Sequence, residues 1–238
     1  MWVMQNTEGK EENDDDARRV TPMVLVAMFL LLPGVGWATY VGTSPLVPPD
    51  DGVYLHPGNV HTSYSGTNLA IVLSRAEHRG FTNVHRDPTG AGTRETFDSV
   101  VDGDVSINGG QLISVSLSGP VIVELGGGYQ PGALGTFNTE MTQLNLVGGG
   151  VMIRESPTLQ SLGQTTIQNI GGGLFQINSF FDIFTELSLD GGQTWLPSVG
   201  PPTHMDLTNV PEPSTWLLFG SALAIGAGLR RRFAGKRA

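Results

Sequence analysis

The stretch Phe175 to Leu189, FQINSFFDIFTELSL, decides the fold class of this chain. Apolar and polar residues alternate in it, first over Phe175–Asn178 and then over Phe181–Leu189. Successive side chains of a β-strand point to opposite faces, so this alternation predicts strands with one buried face. The residues expected to share a face in the second segment are Phe181, Ile183, Thr185, Leu187 and Leu189.

Working outward from this stretch, similar strand patterns occur at Thr142–Leu146, Gln111–Leu117 and Val121–Leu125. Segments rich in turn-forming residues punctuate them, and no long segment with a helical period lies outside the two termini. The sequence therefore predicts an all-β body, an antiparallel sandwich or barrel. Of the two we expect a β-sandwich with a jelly-roll-like order, between an N-terminal signal helix and a C-terminal transmembrane helix. The expected turns are Asn108–Gly110, Ser118–Pro120, Pro131–Gly132 and Gly191–Gly192.

Triple glycines recur at Gly126–Gly128, Gly148–Gly150 and Gly171–Gly173. Their spacing is nearly regular, which leaves a stacked β-repeat open as an alternative. The sequences between them show no self-similarity, so we favour a hairpin turn at each triplet. None is followed by Gly-Lys-Ser/Thr, which excludes a phosphate-binding loop and the nucleotide cofactor it would hold.

The composition limits the classes of partner. The 238-residue chain has a net charge of -9, no cysteine, 33 glycines and 15 prolines. Between Thr39 and Val210 it contains five arginines and no lysine, while acidic residues clearly outnumber them. A body of this charge would repel phosphate backbones, so nucleic acid is not an expected partner.

The N-terminal segment has the features of an export signal. Arg18 and Arg19 precede the uninterrupted apolar run Met23–Leu32, and small residues follow it. This order predicts that residues 1–38 are a signal peptide with a long n-region. The general secretion machinery and signal peptidase would process it. The expected cleavage lies between Ala38 and Thr39, which leaves an exported domain over residues 39–209.

The C-terminal segment, residues 210–238, combines three features. The two prolines of Pro211-Glu212-Pro213 favour an extended, non-helical backbone. The charge-free apolar stretch Thr215–Leu229 follows this triplet. A basic cluster over residues 230–237 closes that stretch abruptly, as a stop-transfer signal does. At 15 residues the stretch is shorter than the roughly 20 that a standard spanning helix needs, which favours a transient anchor. The stop-transfer residues are Arg230, Arg231 and Arg232.

This order of motif, apolar span and arginine cluster resembles the PEP-CTERM sorting tail, which is also labelled the ice-binding protein C-terminal domain. The resemblance implies that Pro211, Glu212 and Pro213 are the recognition motif and that Thr215–Leu229 spans the membrane. It further implies that an exosortase, a membrane transpeptidase, cleaves and sorts the chain. Hosts of such systems are typically Gram-negative bacteria that make exopolysaccharide, so the implied location is an inner-membrane intermediate and then the cell surface or extracellular matrix.

One motif in the body matches the Asp-box pattern S-x-D-x-G-x-T-W of sialidase-like and other β-rich proteins. In those families the box lies away from the catalytic site, and only one copy occurs here. We therefore expect a structural hairpin turn, with the Asp side chain capping turn amides, and no sialidase. The matching residues are Ser188, Asp190, Gly192, Thr194 and Trp195.

Other candidate sites are weaker. Four histidines and nearby acids in the N-terminal half fit no standard metal-ligand spacing, so no metal is expected. Asp102, Asp104 and Asn108 suggest a calcium loop, but Ile107 and Ile113 stand where an EF-hand needs Gly and Glu. Phe180, Phe181, Phe184 and Trp195 are expected in the core rather than as a sugar-stacking platform. The histidines are His56, His61, His78 and His85, and the acids are Asp50, Asp51, Glu77 and Asp87.

These observations predict a non-enzymatic exported surface or matrix protein that needs no cofactor. Two alternatives remain open. One is a glycan- or exopolysaccharide-binding module, and the other is an exported hydrolase whose site residues are dispersed along the chain.

Overall fold

The computed structural model describes residues 39–57 and 62–209. The predicted signal peptide with Ala38, and the tail with Pro211–Pro213, the membrane span and Arg230–Arg232, lie outside these described residues. No helix occurs in the described part, so nothing there is a helix long and apolar enough to cross a membrane.

The described residues form β-strands joined mostly by short turns, as the period-2 alternation of the sequence requires. The strands, in chain order, are β1 Tyr40–Gly42, β2 Gly52–Leu55, β3 Thr62–Gly66, β4 Leu69–Pro88, β5 Thr93–Ile107, β6 Ile113–Leu125, β7 Gly135–Gly148, β8 Val151–Glu155, β9 Ser161–Gly171, β10 Leu174–Ile183, β11 Thr185–Ser188, β12 Leu196–Val199 and β13 Thr203–Asn209.

All pairings are antiparallel and belong to one sheet that closes on itself. The long strands β4 to β7 pair with one another in chain order. At each remaining strand position of the sheet, two shorter strands that are consecutive in the chain lie end to end. β9 and β8 pair with β7, β10 and β11 pair with β9 and β8, and β13 and β12 follow. β2 and β3 complete the circuit, because they pair with β13 and β12 on one side and with β4 on the other.

The predicted all-β antiparallel body is confirmed, but its finer order differs from the expected jelly roll. Except where β12 and β13 close on β3 and β2, and where β1 adds to β10, the sheet follows the order of the chain. This order is a closed meander and not the Greek-key order of a jelly roll. The turn expected at Ser118–Pro120 is wrong, since β6 runs straight through it. There Ser118 pairs with both Val100 and Val147, and this pairing on two sides overrides the local turn preference.

The core fills the inside of the closed sheet with alternate residues of each strand. In the stretch that decided the fold class, Phe181, Ile183, Thr185 and Leu187 point inward and are buried. Leu189 is 37% exposed, because β11 ends at Ser188 and the residue lies in the following turn. Burying each such apolar side chain stabilises the fold by about 1.5–3 kcal/mol.

The closed sheet has two ends with different contents. The exit end contains residues 89–92, 126–134 and 172–173, together with Thr39 and Asn209. A strap, defined as residues 43–51, crosses this end between β1 and β2. The far end contains the hairpin turns at residues 67–68, 108–112, 149–150 and 189–195. The triple glycines thus lie at connections between strands, two at the exit end and one at the far end.

Candidate functional site: the exit end

The exit end holds the first and last described strands together. The amide of Val41 donates to Asn209 Oδ1 at 2.8 Å, and Asn209 Nδ2 donates to the carbonyl of Val41 at 3.0 Å. These two hydrogen bonds, the clamp, join positions 168 residues apart. Asn209 also pairs with Gly52 of β2, so the last described residue is held beside β2 as well as β1.

The residues that follow the predicted signal cleavage are also tied to the sheet. Thr39 Oγ1 donates to Asn178 Oδ1 at 2.9 Å, and the Tyr40 hydroxyl donates to Asp51 Oδ1 at 2.5 Å. Burial, reinforced by the hydrogen bond and charge of Asp51, raises the pKa of Tyr40 above its ordinary range. The predicted cut therefore lies directly before a residue that the fold holds.

The strap covers the interior at this end through a buried ion pair. Arg86 Nη2 donates to the carbonyl of Val47 at 2.8 Å, and Arg86 Nε donates to Glu95 Oε1 at 3.1 Å. Glu95 is only 1% exposed. Burial raises the pKa of Glu95 to about 7, against the opposing charge and hydrogen bond of Arg86.

Five other buried polar side chains inside the sheet are paired with each other. His78 Nε2 lies 2.7 Å from Ser99 Oγ, and burial lowers the pKa of His78 to about 4. The Tyr54 hydroxyl, Ser179 Oγ and Thr165 Oγ1 form a chain with spacings of 2.9 and 2.8 Å. The two inner cavities measure about 20 and 50 Å³, room for single waters and far below the roughly 300 Å³ of a small-molecule pocket.

The Asp-box residues form a self-contained turn at the far end. Asp190 Oδ1 accepts from the amide of Thr194 at 2.9 Å and from Ser188 Oγ at 2.7 Å, while Thr194 Oγ1 donates to Asp190 Oδ2 at 2.6 Å. The hydrogen bonds from Thr194, followed by that from Ser188, lower the pKa of Asp190 to about 2. Trp195 Nε1 donates to the carbonyl of Gly192 at 3.0 Å.

Beside this turn lies a cation–π contact. The guanidinium of Arg154 is 4.1 Å from the centroid of the Trp195 ring, and it also donates to Glu186 at 2.6 Å. Every polar group of the motif thus has a partner within the turn or next to it, and none points at a cavity described above. The geometry is that of a turn that stabilises the connection from β11 to β12.

The histidines and acids considered as metal ligands do not come together. His78 is buried against Ser99, whereas His85 is exposed and lies 3.3 Å from Asp87. His61 lies outside the described residues. Within residues 39–57 and 62–209, no group of three His, Cys, Asp or Glu residues could hold a metal ion.

The residues considered for a calcium loop have separate roles. Asp104 accepts from Ser114 Oγ at 2.7 Å and pairs with Arg75, and these hydrogen bonds lower its pKa. Asn108 Oδ1 accepts from the amide of Ala70 at 2.8 Å and so stabilises a turn. Asp102 and Asp104 line an open depression of about 410 Å³ on the outer face of β4 to β6.

An outer patch of β10 and β13 was missed by the sequence reasoning. Phe180 lies beside His204 with ring centroids 5.2 Å apart, and His204 Nδ1 and Nε2 lie 2.7 and 3.2 Å from Asp182 and Asp206. Partial burial lowers the pKa of His204, but the hydrogen bonds and charges of the two aspartates outweigh it and raise the pKa overall. The alternating His-x-Asp at positions 204 and 206 was the available signal. Of the aromatics expected in the core, Phe181 is buried, while Phe180, Phe184 and Trp195 are half-buried.

The clamp was also missed, since it depends on pairing between the two ends of the body. Pro211, Glu212 and Pro213 follow it directly in the sequence, after Val210. The exit end is therefore the part of the described structure from which the sorting tail begins.

Comparison with known proteins gives one result for this end of the chain. No curated protein and no solved structure matches the chain significantly. One family does match, described as the PEP-CTERM protein-sorting motif, and its match covers residues 209–232. It starts at the clamp residue Asn209 and includes the Pro-Glu-Pro triplet, the apolar stretch and the three arginines. The chain therefore carries a PEP-CTERM protein-sorting motif, which implies export, processing by an exosortase and membrane-associated sorting to the cell surface.

Proposed function

We propose that this chain is a non-enzymatic exported protein that an exosortase releases from the inner membrane of a Gram-negative-type bacterium and places at the cell surface or in the extracellular matrix. The observation that carries the proposal is the position of the sorting motif. It begins at Asn209, the last residue of β13, so the recognition triplet follows the folded body after a single residue, Val210.

The clamp supports this role because it keeps the exit point fixed. A force that pulls on the tail acts first on Asn209. This residue pairs with Gly52 in β2 and is hydrogen-bonded to Val41 in β1. The proline-rich triplet beyond it favours extended backbone, the form that a processing enzyme can bind along its length. The body therefore stays folded while its tail is handled.

The non-enzymatic part of the proposal rests on how the polar groups of the body are used. The ionisable groups buried inside the sheet, Glu95 and His78, are bound to Arg86 and Ser99, and the inner cavities admit only water. A catalytic site needs a nucleophile or an acid–base pair that a substrate can reach. The interior of the described body offers its titratable groups no such access.

The sorting proposal is tested by changing the motif in a host that has an exosortase. The triple variant Pro211→Ala, Glu212→Ala, Pro213→Ala should remain at full length in the membrane fraction, while the unchanged chain is shortened and reaches the surface. The matched control is Pro157→Ala, Thr158→Ala, Leu159→Ala, a triple change at three exposed positions between β8 and β9. Processing of the motif variant at the rate of the unchanged chain would refute the proposal.

A second candidate, exopolysaccharide binding, is favoured by the Phe180–His204 patch. Half-buried aromatic rings stack on sugar rings, and the carboxylates of Asp182 and Asp206 can accept hydrogen bonds from sugar hydroxyls. A glycan array with the full chain in detergent tests it, with Phe180→Ala as the variant and Phe175→Ala as the control. Binding that both variants retain equally would exclude this patch.

A further inference from the structure

The exit end carries four exposed apolar side chains on β1, β9, β10 and the turn before β7. Val41, Leu134, Ile170 and Leu174 are 38%, 52%, 48% and 39% exposed. Val41 pairs with Gln176, two residues from Leu174, so both side chains lie on the outer face of adjoining strands. Leu134 precedes Gly135, which pairs with Ile167 of β9. We call these four residues the apolar rim.

The segments that supply the rim contain no charged side chain. Residues 39–49, 125–139 and 156–181 contain neither a charged side chain nor a histidine. They supply β1, the turn before β7, all of β9 and most of β10. Asp50 and Asp51 begin the charged part of this end, towards β2 and β4. Within these ranges, contact with an apolar medium would therefore desolvate no charged side chain.

The hairpin tip between Ile170 and Leu174 is suited to such a contact. It consists of Gly171, Gly172 and Gly173, with positive φ angles of 87°, 63° and 78°. The tip thus presents backbone and two flanking aliphatic side chains with nothing bulky between them. β9 and β10 extend it beyond the start of β7, since Gly135 pairs with Ile167.

The length of chain between the body and the predicted membrane span limits how far this end can lie from the bilayer. Only Val210 to Ser214 separate Asn209 from Thr215, where the predicted span begins. Even fully extended, this linker reaches roughly 20 Å, at about 3.3–3.6 Å for each residue. The clamp fixes Asn209 at the exit end, so this end faces the membrane whenever the tail is inserted.

We propose that the apolar rim rests on the bilayer surface, with Ile170 and Leu174 at the boundary between headgroups and acyl chains, while the tail anchors the chain. This inference rests on the proposed function, since it needs the membrane-held form. Four aliphatic side chains would bind lipid weakly by themselves. The short linker to the predicted span raises their effective concentration at the membrane. A weak contact with lipid therefore forms while the tail is attached and is lost after cleavage.

The experiment uses the full chain in vesicles of phosphatidylcholine, a neutral lipid that matches the uncharged segments. The chain has no cysteine, so Ile170→Cys offers a single attachment site for an environment-sensitive fluorophore. Leu112→Cys is the matched control, because Leu112 is 56% exposed at the far end. With a lipid that carries a quencher near its headgroup, we expect quenching at position 170 to be at least about twofold stronger than at position 112.

The possible results separate the inference from the proposed function. Vesicle flotation of the labelled chain reports anchoring, and a chain that does not float would overturn both. A chain that floats with equal quenching at the two positions would overturn the rim contact alone. A signal at position 170 that fades when the protein is diluted in lipid would assign the rim to a second copy, and one that needs added exosortase would assign it to that enzyme. Either of these results also overturns the lipid contact.

Discussion

The two ends of the closed sheet differ in what their hydrogen bonds connect. At the far end, Asp190 and Arg154 are satisfied by neighbours, and the Asp-box turn is a hydrogen-bonded unit with no link to a chain end. At the exit end, two hydrogen bonds of the uncharged Asn209 side chain join β1 to β13. The far end is thus held together by a local turn, whereas the exit end is held together by hydrogen bonds between the first and last described strands.

The largest expected loss of stability is that of an alanine substitution at a closely packed glycine, compared with the same substitution at a glycine in open space. A Cβ on Gly148, near the far end, would lie 2.0 Å from the carbonyl oxygen of Ser116, which is backbone of β6. Gly148→Ala must therefore displace β6 or β7, and we expect it to lower the free energy of unfolding by about 3 kcal/mol or more. Chemical denaturation of the chain in detergent measures this loss.

The comparison is Gly172→Ala at the tip of the exit-end hairpin. A Cβ there meets nothing within 4 Å, and only the positive φ of 63° opposes it. The expected loss is about 1 kcal/mol, the cost of a left-handed backbone for a residue with a side chain. Equal losses in the two variants would mean that the strands around Gly148 are less tightly packed than the structure has them.

The local part of the fold was predictable and the closure was not. Alternation placed Phe181, Ile183 and Leu187 inside correctly, because side-chain direction in a strand follows from position alone. Closure depends on β13 pairing with β2, for example Leu207 with Tyr54, across about 150 residues. No local pattern encodes such a pairing, so the sequence supported a sandwich as well as a closed meander.

The same limit applies to the site. The Pro-Glu-Pro triplet, the apolar stretch and the basic cluster follow one another within 29 residues, so the tail was recognisable, and the family match confirms it. Asn209 ends a strand as one more polar residue, and its two bonds to Val41 exist only once both strands are placed.

The second prediction concerns the buried ionisable groups beneath the strap. Burial raises the pKa of Glu95 from 4.5 to about 7, so its contribution to stability is complete below pH 4.5 and is lost as the pH rises to 7. Burial lowers the pKa of His78 from 6.5 to about 4, so its contribution is complete above pH 6.5 and is lost as the pH falls. Between pH 5 and 7 these two dependences oppose each other.

Glu95→Gln removes the first dependence and leaves the second. Acidification from pH 7 to 5 should then cost the variant about 2 kcal/mol more than it costs the unchanged chain. Denaturant titrations at both pH values measure this difference. His78→Gln is the matched control and should lose stability in the opposite direction, as the pH rises from 5 to 7. Parallel pH profiles for Glu95→Gln and the unchanged chain would contradict the assignment.

The third prediction tests the self-contained turn of the far end. Trp195→Ala removes the ring from Arg154 and the hydrogen bond to Gly192, at an expected cost of about 1–2 kcal/mol. Trp195→Phe keeps a ring over the guanidinium and loses only the hydrogen bond, so its cost should be smaller. Hydrogen exchange should show the change confined to residues 186–197. Faster exchange at β1 in either variant would show that the two ends are coupled.

The smallest expected effect is the loss of the clamp. Asn209→Ala removes two exposed hydrogen bonds to Val41, and each contributes about 0.5 kcal/mol at the low end of the usual range. The global change in stability should thus be about 1 kcal/mol, because β13 keeps its pairing with β2. Locally, β1 is left with three residue pairs to β10, so exchange at Tyr40–Gly42 should accelerate well beyond that of the rest of the sheet. Asn169→Ala is the control, since Asn169 Oδ1 accepts only from the amide of Gly171 within its own turn. Unchanged exchange at β1 in Asn209→Ala would mean that the clamp does not hold β1 and β13 together. The clamp would then not fix the exit end towards the membrane.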